Sequence, residues 1–191
     1  MIFASNNKGK LEEIKSILND YDIFSMNDYK INIDIVEDKD TFVENAKKKA
    51  YVIYKFSHKE SLADDSGLMI NSLNGFPGVM THRFLGDNAS DTDRNNYLIE
   101  EVNKHKDRTA KAVCSLAYYD GNGFITASGV IDGVISKERR GENGFGFDEI
   151  FELPDGRTLA ELSKKEKNEI SARKKACELL KKKIKLKMYD D

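Results

Sequence analysis

Apolar positions in the first third of the chain follow two periods, and each period predicts a type of element. A continuous apolar run at 1–5 predicts a buried strand, and apolar residues at helical spacing over 11–18 predict a helix after a short polar loop. The isoleucines over 31–36 alternate with other residues, which predicts a second strand. A helix is expected over 42–56, because the polar residues just before it can cap its first turn.

The middle of the chain contains short apolar runs separated by turn-forming residues. Runs at 61–63 and 68–70 predict strand segments on either side of an Asp-Asp-Ser-Gly sequence at 64–67. A loop with two glycine-containing turns follows. Ser90 or Asp91 can then cap a helix with an apolar face.

Two longer strands are predicted at 110–119 and 124–136, and the Asp-Gly-Asn-Gly sequence between them is typical of a hairpin turn. A glycine-rich loop follows at 141–146, and one helix is expected over 164–187. Helices between the early strands, together with a hairpin, predict an α/β fold with a mixed sheet flanked by helices. Because no linker-like stretch divides the chain, a single domain over 1–191 is expected.

The charge balance limits the class of partner. The chain has 31 basic and 33 acidic residues and a formal net charge of −2, so it has no overall field that would attract a polyanion. The lysine runs at 47–49 and 181–183 are therefore interpreted as solvated helix faces, and no nucleic-acid partner is expected.

The cysteines and the apolar stretches indicate a compartment. Cys114 and Cys177 lie far apart in apolar segments, which is typical of buried thiols in a reducing environment. The sequence contains neither a recognisable signal peptide nor an apolar run of membrane-spanning length. A cytoplasmic protein without a membrane partner is therefore expected.

The polar loop after the first strand is the first candidate for chemistry. It consists of Ser5, Asn6, Asn7, Lys8, Gly9 and Lys10. Backbone N–H groups at a helix start lack helical partners and favour anions, Gly9 permits close approach, and Lys10 adds a positive charge. The loop could cradle a phosphate, although an ordinary polar turn has the same composition.

Two adjacent aspartates, Asp64 and Asp65, form the second candidate. Mg²⁺ prefers a few carboxylates together with waters and phosphates, and a carboxylate beside such an ion could take a proton from water. An Asx-type turn explains the same residues without chemistry. Further acidic candidates are Glu37, Asp38, Asp40 and Glu44. Spacing does not choose among them, and Glu44 can instead complete a capping box.

The third candidate is the glycine–aromatic segment Phe145–Asp148, which follows Gly144. Such a loop can approach a ligand closely and stack a ring on a base. It departs at three positions from the related motif of RNA-recognition sheets, which argues against that interpretation. A plain glycine-rich loop with core-facing phenylalanines is the alternative.

Lys167 and Arg173 form the fourth candidate, in the first turns of the last predicted helix. Because they are six residues apart, their side chains lie roughly 120° apart around the helix axis, so one ligand could meet both only across a cleft. A solvated, charged helix face is the alternative interpretation.

In their order and spacing, these segments resemble the inosine triphosphate pyrophosphatase family, also described as XTP/dITP diphosphatases. The resemblance covers nearly the whole chain. The matching motifs are Ser5-x-Asn7-x-x-Lys10, Phe42–Ala46, Asp64–Leu68, Leu73–Gly78, Arg83-Phe84, Gly144–Asp148 and Thr158–Leu162.

The resemblance implies an elongated mixed sheet in two lobes with a nucleotide cleft between them, usually in a homodimer. It also implies Mg²⁺-dependent hydrolysis of nonstandard purine nucleoside triphosphates. Asp65 matches the family's metal-associated general base. Glu37 falls near the acidic position linked to Mg²⁺, and Glu44 is a second option.

The resemblance further assigns substrate contacts. Ser5 to Lys10 and Ser66 would hold the phosphates, and Lys167 would contact a phosphate or the ribose. The base would be surrounded by Phe145, Gly146, Phe147, Asp148 and Arg173. One position departs from the family pattern, because Ala172 stands where the family has histidine. This removes one polar contact near the base and bears on base selectivity.

The favoured function is hydrolysis of ITP, dITP and XTP at the α–β phosphate linkage to a monophosphate and pyrophosphate. Asp65 would activate water, and Lys10 with the loop amides would stabilise the extra charge. One alternative is a pyrophosphatase with a different base preference. Another is a nucleotide- or RNA-binding module without turnover.

Overall fold

The computed structural model describes residues 1–190, which form two compact units. Unit 1 contains Met1–Asp65, Cys114–Gly129 and the residues from Ala172 onward. Unit 2 contains Ser66–Val113 and Val130–Ser171. Neither unit is continuous in sequence, because the chain passes between them four times.

Six strands form a mixed sheet in the order β2-β1-β3-β4-β5-β6. They are β1 (Ile2–Phe3), β2 (Phe24–Ser25), β3 (Ser61–Ile70), β4 (Thr109–Tyr119), β5 (Phe124–Ile135) and β6 (Phe151–Glu152). Strand β1 pairs in parallel with β2 and β3, whereas β5 and β6 are antiparallel. The predicted α/β class with a mixed sheet flanked by helices is thus confirmed.

Five α-helices accompany the sheet in the described part of the chain. They are α1 (Lys8–Ile17), α2 (Phe42–Ser57), α3 (Asp91–Asn103), α4 (Lys164–Ile170) and α5 (Ala172–Asp190). The predicted caps of α2 and α3 are confirmed, since Thr41 accepts from the Glu44 N–H and Ser90 accepts from the Asp93 N–H. No helix among the described residues has the length and apolar character that a membrane crossing requires.

The predicted strand over 31–36 is wrong, because these residues have no regular secondary structure. Their alternation reflects packing instead. Ile31 is buried in a core cluster of unit 1, and Ile33 and Ile35 pack against that cluster. One face of an irregular segment is therefore apolar without any pairing between strands.

The predicted break at 64–67 is also wrong, since β3 runs without interruption from Ser61 to Ile70. The Asx-turn interpretation of the two aspartates therefore does not apply. The first eight residues of this strand are all buried, so its polar side chains must find hydrogen-bond or ion-pair partners inside the protein.

The single helix predicted over 164–187 is two helices. Ser171 adopts an extended conformation with φ −62° and ψ 158°, which ends α4 before α5 begins at Ala172. Lys167 therefore lies in α4 and unit 2, whereas Arg173 lies in α5 and unit 1. Ile170, the last residue of α4, is 40% exposed.

The start of α5 packs closely on β5 within unit 1. A Cβ atom on Gly129 would lie 2.1 Å from the carbonyl oxygen of Ala172 and 2.6 Å from the backbone nitrogen of Ala176. Only glycine permits this approach without displacing the helix backbone. The close contact fixes the position from which Arg173 extends.

Candidate active site

The two adjacent aspartates of β3 have different surroundings. Successive side chains of a strand point to opposite faces, so Asp64 and Asp65 contact different elements. Asp64 bonds Lys10 at the start of α1 and Arg173 at the start of α5. Asp65 instead accepts a hydrogen bond from Asn45 of α2. Both aspartates are almost completely buried.

Asp64 is the centre of a buried ion-pair network in unit 1. Its Oδ2 atom lies 3.2 Å from the Lys10 ammonium and 2.9 Å from Nη2 of Arg173. The Arg173 guanidinium also contacts the carboxylate of Glu13. Burial alone would raise the pKa of Asp64, but the charges of Lys10, Arg173 and Lys49 outweigh it and hold the pKa well below its ordinary value. Asp64 is therefore ionised at neutral pH.

Asp65 has the electrostatic properties of a proton acceptor. Burial raises its pKa from 3.8 to about 6, and the nearby charge of Glu37 acts in the same direction. The charge of Lys49 and the 2.9 Å hydrogen bond from Asn45 oppose this rise. A carboxylate with such a pKa is mostly ionised at neutral pH and is basic enough to accept a proton from water.

Lys49 connects the acidic residues of this site. Its ammonium pairs with the Glu37 carboxylate. Burial would lower the pKa of Lys49, but the charges of Asp64, Glu37 and Asp65 prevail and raise it, so the side chain remains protonated. The interpretation of 47–49 as a solvated face is wrong at this residue, because Lys49 is only 8% exposed.

Glu37 is the acidic neighbour of Asp65, a choice that spacing alone left open. Two of the three competing residues are engaged at the surface, since Glu44 pairs with Lys47 and Asp38 pairs with Lys48. Among the described residues, no group of three or more His, Cys, Asp or Glu side chains is placed to hold a metal ion. The two carboxylates of Glu37 and Asp65 fit a hard cation that takes its other ligands from phosphate and water.

The predicted phosphate loop lies at the start of α1. Asn7 caps this helix by accepting the Lys10 N–H at 3.0 Å, and the hydroxyl of Ser5 accepts the Asn7 N–H at 3.2 Å. Asn6, Asn7 and Lys8 are exposed, and Gly9 is partly so. The Lys10 side chain points inward to Asp64. Its predicted contact with a phosphate stays a prediction.

The glycine–aromatic loop is tightly organised within unit 2. Asp148 accepts the Phe145 N–H at 2.9 Å and pairs with the Lys167 ammonium at 2.5 Å. The same ammonium lies 4.5 Å from the centre of the Phe145 ring. Gly144 has φ +81°, and a Cβ atom there would lie 2.1 Å from Oδ2 of Asp148. The structure therefore brings Lys167 together with the predicted base-binding loop.

The other predicted residues are distributed between the two units. Phe147 packs edge-on against Phe151, and Gly146 is held by Asp91 and Asn95. Ser66 is buried at the start of the unit 2 part of β3. In unit 1, Ala172 and Arg173 are both buried.

Sequence reasoning assigned no role to three residues of the unit 1 site, namely Glu13, Asn45 and Lys49. A detectable signal existed for two of them. Asn45 and Lys49 are four residues apart in one helix and so share a face, and the same face carries Ala46, Ala50 and Ile53 toward the core. A polar pair on an apolar helix face indicates buried partners.

Comparison with known proteins identifies relatives along nearly the full length. The model of the Ham1 family matches residues 1–183. A dITP/XTP pyrophosphatase of Clostridium perfringens is 42% identical over 196 residues, covering 96% of each chain. That of Desulforamulus reducens is 40% identical over 190 residues, covering 94% of each.

Solved structures give the same result for the fold. The Ham1 protein of Staphylococcus aureus matches with a TM-score of 0.87 and 36% identity, covering 97% of this chain and 98% of that one. A HAM1 protein from Coxiella burnetii matches with a TM-score of 0.87 and 39% identity, covering 96% and 97%.

Proposed function

The chain belongs to the Ham1 family, and we propose that it hydrolyses the nonstandard purine nucleoside triphosphates dITP, ITP and XTP to the monophosphate and pyrophosphate. Relatives of the same length that carry the name dITP/XTP pyrophosphatase support this substrate class. The observation that carries the chemistry is the buried carboxylate of Asp65, whose pKa is raised to about 6. The cellular role would be to remove these nucleotides before a polymerase uses them.

In the proposed reaction Asp65 accepts a proton from the attacking water. The residue is ionised at neutral pH, and Lys49 beside it keeps its positive charge. The backbone N–H groups at the start of α1 and the Lys10 ammonium would bind the phosphates and stabilise the charge that develops during attack. Asp64 holds Lys10 in place through the buried ion pair.

Mg²⁺ is the proposed cofactor, and the carboxylates of Glu37 and Asp65 would hold it. Oxygen donors of this kind suit a small hard cation, and each lies in the acidic cluster around Lys49. A bound Mg²⁺ would neutralise phosphate charge and increase the acidity of water.

The proposed base contacts of unit 2 are Phe145, Gly146, Phe147 and Asp148, and Arg173 of unit 1 is proposed as a base contact because the family resemblance assigns it that role. The ordered loop in unit 2 would stack an aromatic ring on the purine, and Lys167 would contact the ribose or a phosphate. We propose that Ala172 weakens discrimination between a 6-oxo and a 6-amino purine, because it lacks the polar side chain of the family pattern.

A homodimer is also proposed, and unit 2 has a surface suited to it. Met69, Phe76, Met80, Leu85 and Tyr97 are exposed apolar residues of unit 2, and the rings of Phe76 and Tyr97 pack against the buried ring of Phe84. Sedimentation of the protein and of a Met80→Glu variant at micromolar concentration tests this, and a monomeric parent protein would contradict it.

The cytoplasm is the proposed location, without a nucleic-acid or membrane partner. We propose that residues 1–191 act as a single domain, since the family match spans parts of both units.

The function is tested by measuring pyrophosphate release with Mg²⁺ from dITP, ITP, XTP, ATP and dUTP. Hydrolysis of the first three in preference to ATP and dUTP is expected. Asp65→Asn should lower kcat by about 10²–10⁴-fold, the usual contribution of a general base. Asp20→Asn, at an exposed carboxylate of unit 1, is the matched control and should behave as the parent protein.

Three results would contradict the proposal. Preferential hydrolysis of dUTP would indicate a different base preference. Nucleotide or RNA binding without any release of pyrophosphate would indicate a binding module. Full activity of Asp65→Asn would remove this residue from the mechanism.

A further inference from the structure

Asn45 is fully buried in α2 and contacts both Asp65 and the backbone of Lys39, which lies two residues after Glu37. Its Nδ2 atom donates to Oδ2 of Asp65 at 2.9 Å. Its Oδ1 atom accepts the backbone N–H of Lys39 at 2.9 Å, and Nδ2 also lies 3.4 Å from the Lys39 carbonyl oxygen. A single side chain therefore joins Asp65 to the segment that carries Glu37.

The orientation of this amide follows from its partners. The backbone N–H of Lys39 can only donate, so the atom that faces it must be the amide oxygen. The amide nitrogen then necessarily faces Asp65 and donates to it. Since this donor fixes Oδ2, the rotation of the Asp65 carboxylate is restricted and Oδ1 is left with a defined direction.

Packing does not explain an asparagine at this position. Asparagine is a weaker helix former than alanine, and a buried amide must satisfy its polar atoms. The same helix buries Ala46 and Ala50 in the core of unit 1. The next turn of this face carries Lys49, which also acts on the acidic site.

We propose that Asn45 is a positioning residue for hydrolysis, which holds Oδ2 of Asp65 so that Oδ1 is directed at the attacking water. Through Lys39 it also keeps the Glu37 segment beside the same carboxylate. This role rests on the proposed function, because it requires Asp65 to act as the general base. Asn45 itself does not touch the reacting atoms.

The test compares the parent protein with Asn45→Ala, Asp65→Asn and the double variant in the pyrophosphate-release assay. The control is Ser61→Ala. Ser61 is also fully buried, and its hydroxyl donates to the carbonyl oxygen of Ala50 at 2.7 Å. Both changes thus remove a buried hydrogen bond between β3 and α2, but only one of these bonds involves Asp65.

Asn45→Ala should lower kcat by about 10- to 100-fold with KM changed less than about threefold, as is typical when a supporting hydrogen bond is lost. Ser61→Ala should leave kcat close to that of the parent protein. In the double variant, the change at Asn45 should lower kcat no further than Asp65→Asn alone, because a residue that acts through Asp65 has no effect once the base is removed.

Two results would overturn the proposal while leaving the proposed function intact. One is that kcat falls no further in Asn45→Ala than in Ser61→Ala. The other is that the factors by which Asn45→Ala and Asp65→Asn each lower kcat multiply in the double variant. Thermal unfolding establishes that each variant is folded. If Asn45→Ala is unfolded, Asn45→Asp is used in its place and judged by the same two results. The aspartate keeps the side-chain volume and the oxygen that accepts the Lys39 N–H, but when ionised it cannot donate a hydrogen bond to Asp65.

Discussion

Replacing Asp65 with asparagine is expected to stabilise the folded protein above about pH 6, whereas the same change at the adjacent Asp64 should destabilise it. The two predictions follow from pKa values that the fold moves in opposite directions. Because the substitutions are chemically identical and lie on neighbouring residues of β3, each is a control for the other.

The magnitude for Asp65 follows from proton linkage. Its pKa is 3.8 ordinarily and about 6 in the folded protein, where burial disfavours the charged form. Between these values the folded state binds more protons than the unfolded state, so stability falls as the pH rises from about 4 to about 6. Each unit of pKa is worth about 1.4 kcal/mol, so ionisation of Asp65 lowers the free energy of unfolding by about 3 kcal/mol.

The sign is reversed for Asp64. Its pKa is held below the ordinary value by Lys10 and Arg173, which overcome the opposing effect of burial. Its stabilising contribution is present above pH 4 and is lost as the pH falls further. Asp64→Asn removes the buried carboxylate that pairs with both Lys10 and Arg173, while Glu13 stays beside Arg173. Breaking such a buried pair costs about 3–5 kcal/mol.

Urea unfolding of the parent protein and both variants from pH 4 to pH 8, in buffer with a chelator, measures these differences. The stability gained by Asp65→Asn should grow between pH 4 and 6 and then remain constant. The deficit of Asp64→Asn should be nearly independent of pH over this range. A gain at Asp65 that does not change with pH, or a loss there at pH 7, would refute the assigned electrostatics.

Three further changes address substrate contacts. Lys10→Ala should raise KM and lower kcat of dITP hydrolysis, by about 10²-fold in kcat, because a donor to the developing charge is lost. Ala172→His should raise the ratio of kcat/KM for ITP over ATP by about tenfold, as expected for one added polar contact to a 6-oxo purine. Gly144→Ala should raise KM and destabilise the fold by about 1–3 kcal/mol, because it strains a φ of +81° and collides with Asp148. Steady-state kinetics and urea unfolding measure all three.

Each of these three predictions has an outcome that would contradict it. If Lys10→Ala changed only the stability and left kcat and KM unaltered, the role of Lys10 would be purely structural. An unchanged ITP-to-ATP ratio would show that position 172 does not read the base. Gly123→Ala serves as control for Gly144, because a Cβ atom at Gly123 meets no atom within 4 Å. Equal effects of the two glycine changes would refute the role given to the loop.

Features set by neighbouring residues were predictable from the sequence, and features set by distant ones were not. The caps of α2 and α3 depend on three or four consecutive residues, so the sequence placed each cap within two neighbouring positions. The alternation over 31–36 suggested a strand, but the same pattern arises when an irregular segment packs on a core. Periodicity reports which side is buried and does not report whether strands pair.

The candidate site shows the same division. The acidic pair in β3 was recognised from sequence as a place for chemistry, but the difference between Asp64 and Asp65 depends on partners from α1, α2 and α5. Charged residues such as Lys49 are usually solvated, so its burial could be inferred only from the apolar residues beside it in the helix.

The wide sequence separation of the partners of Asp64 has a consequence for biosynthesis. Lys10 precedes Asp64 by 54 residues, whereas Arg173 follows it by 109. At typical translation rates the ribosome adds the arginine about 5–20 s after the aspartate. During that interval the nascent chain cannot enclose this carboxylate with both of its cations, so unit 1 cannot be completed before Arg173 has left the ribosome.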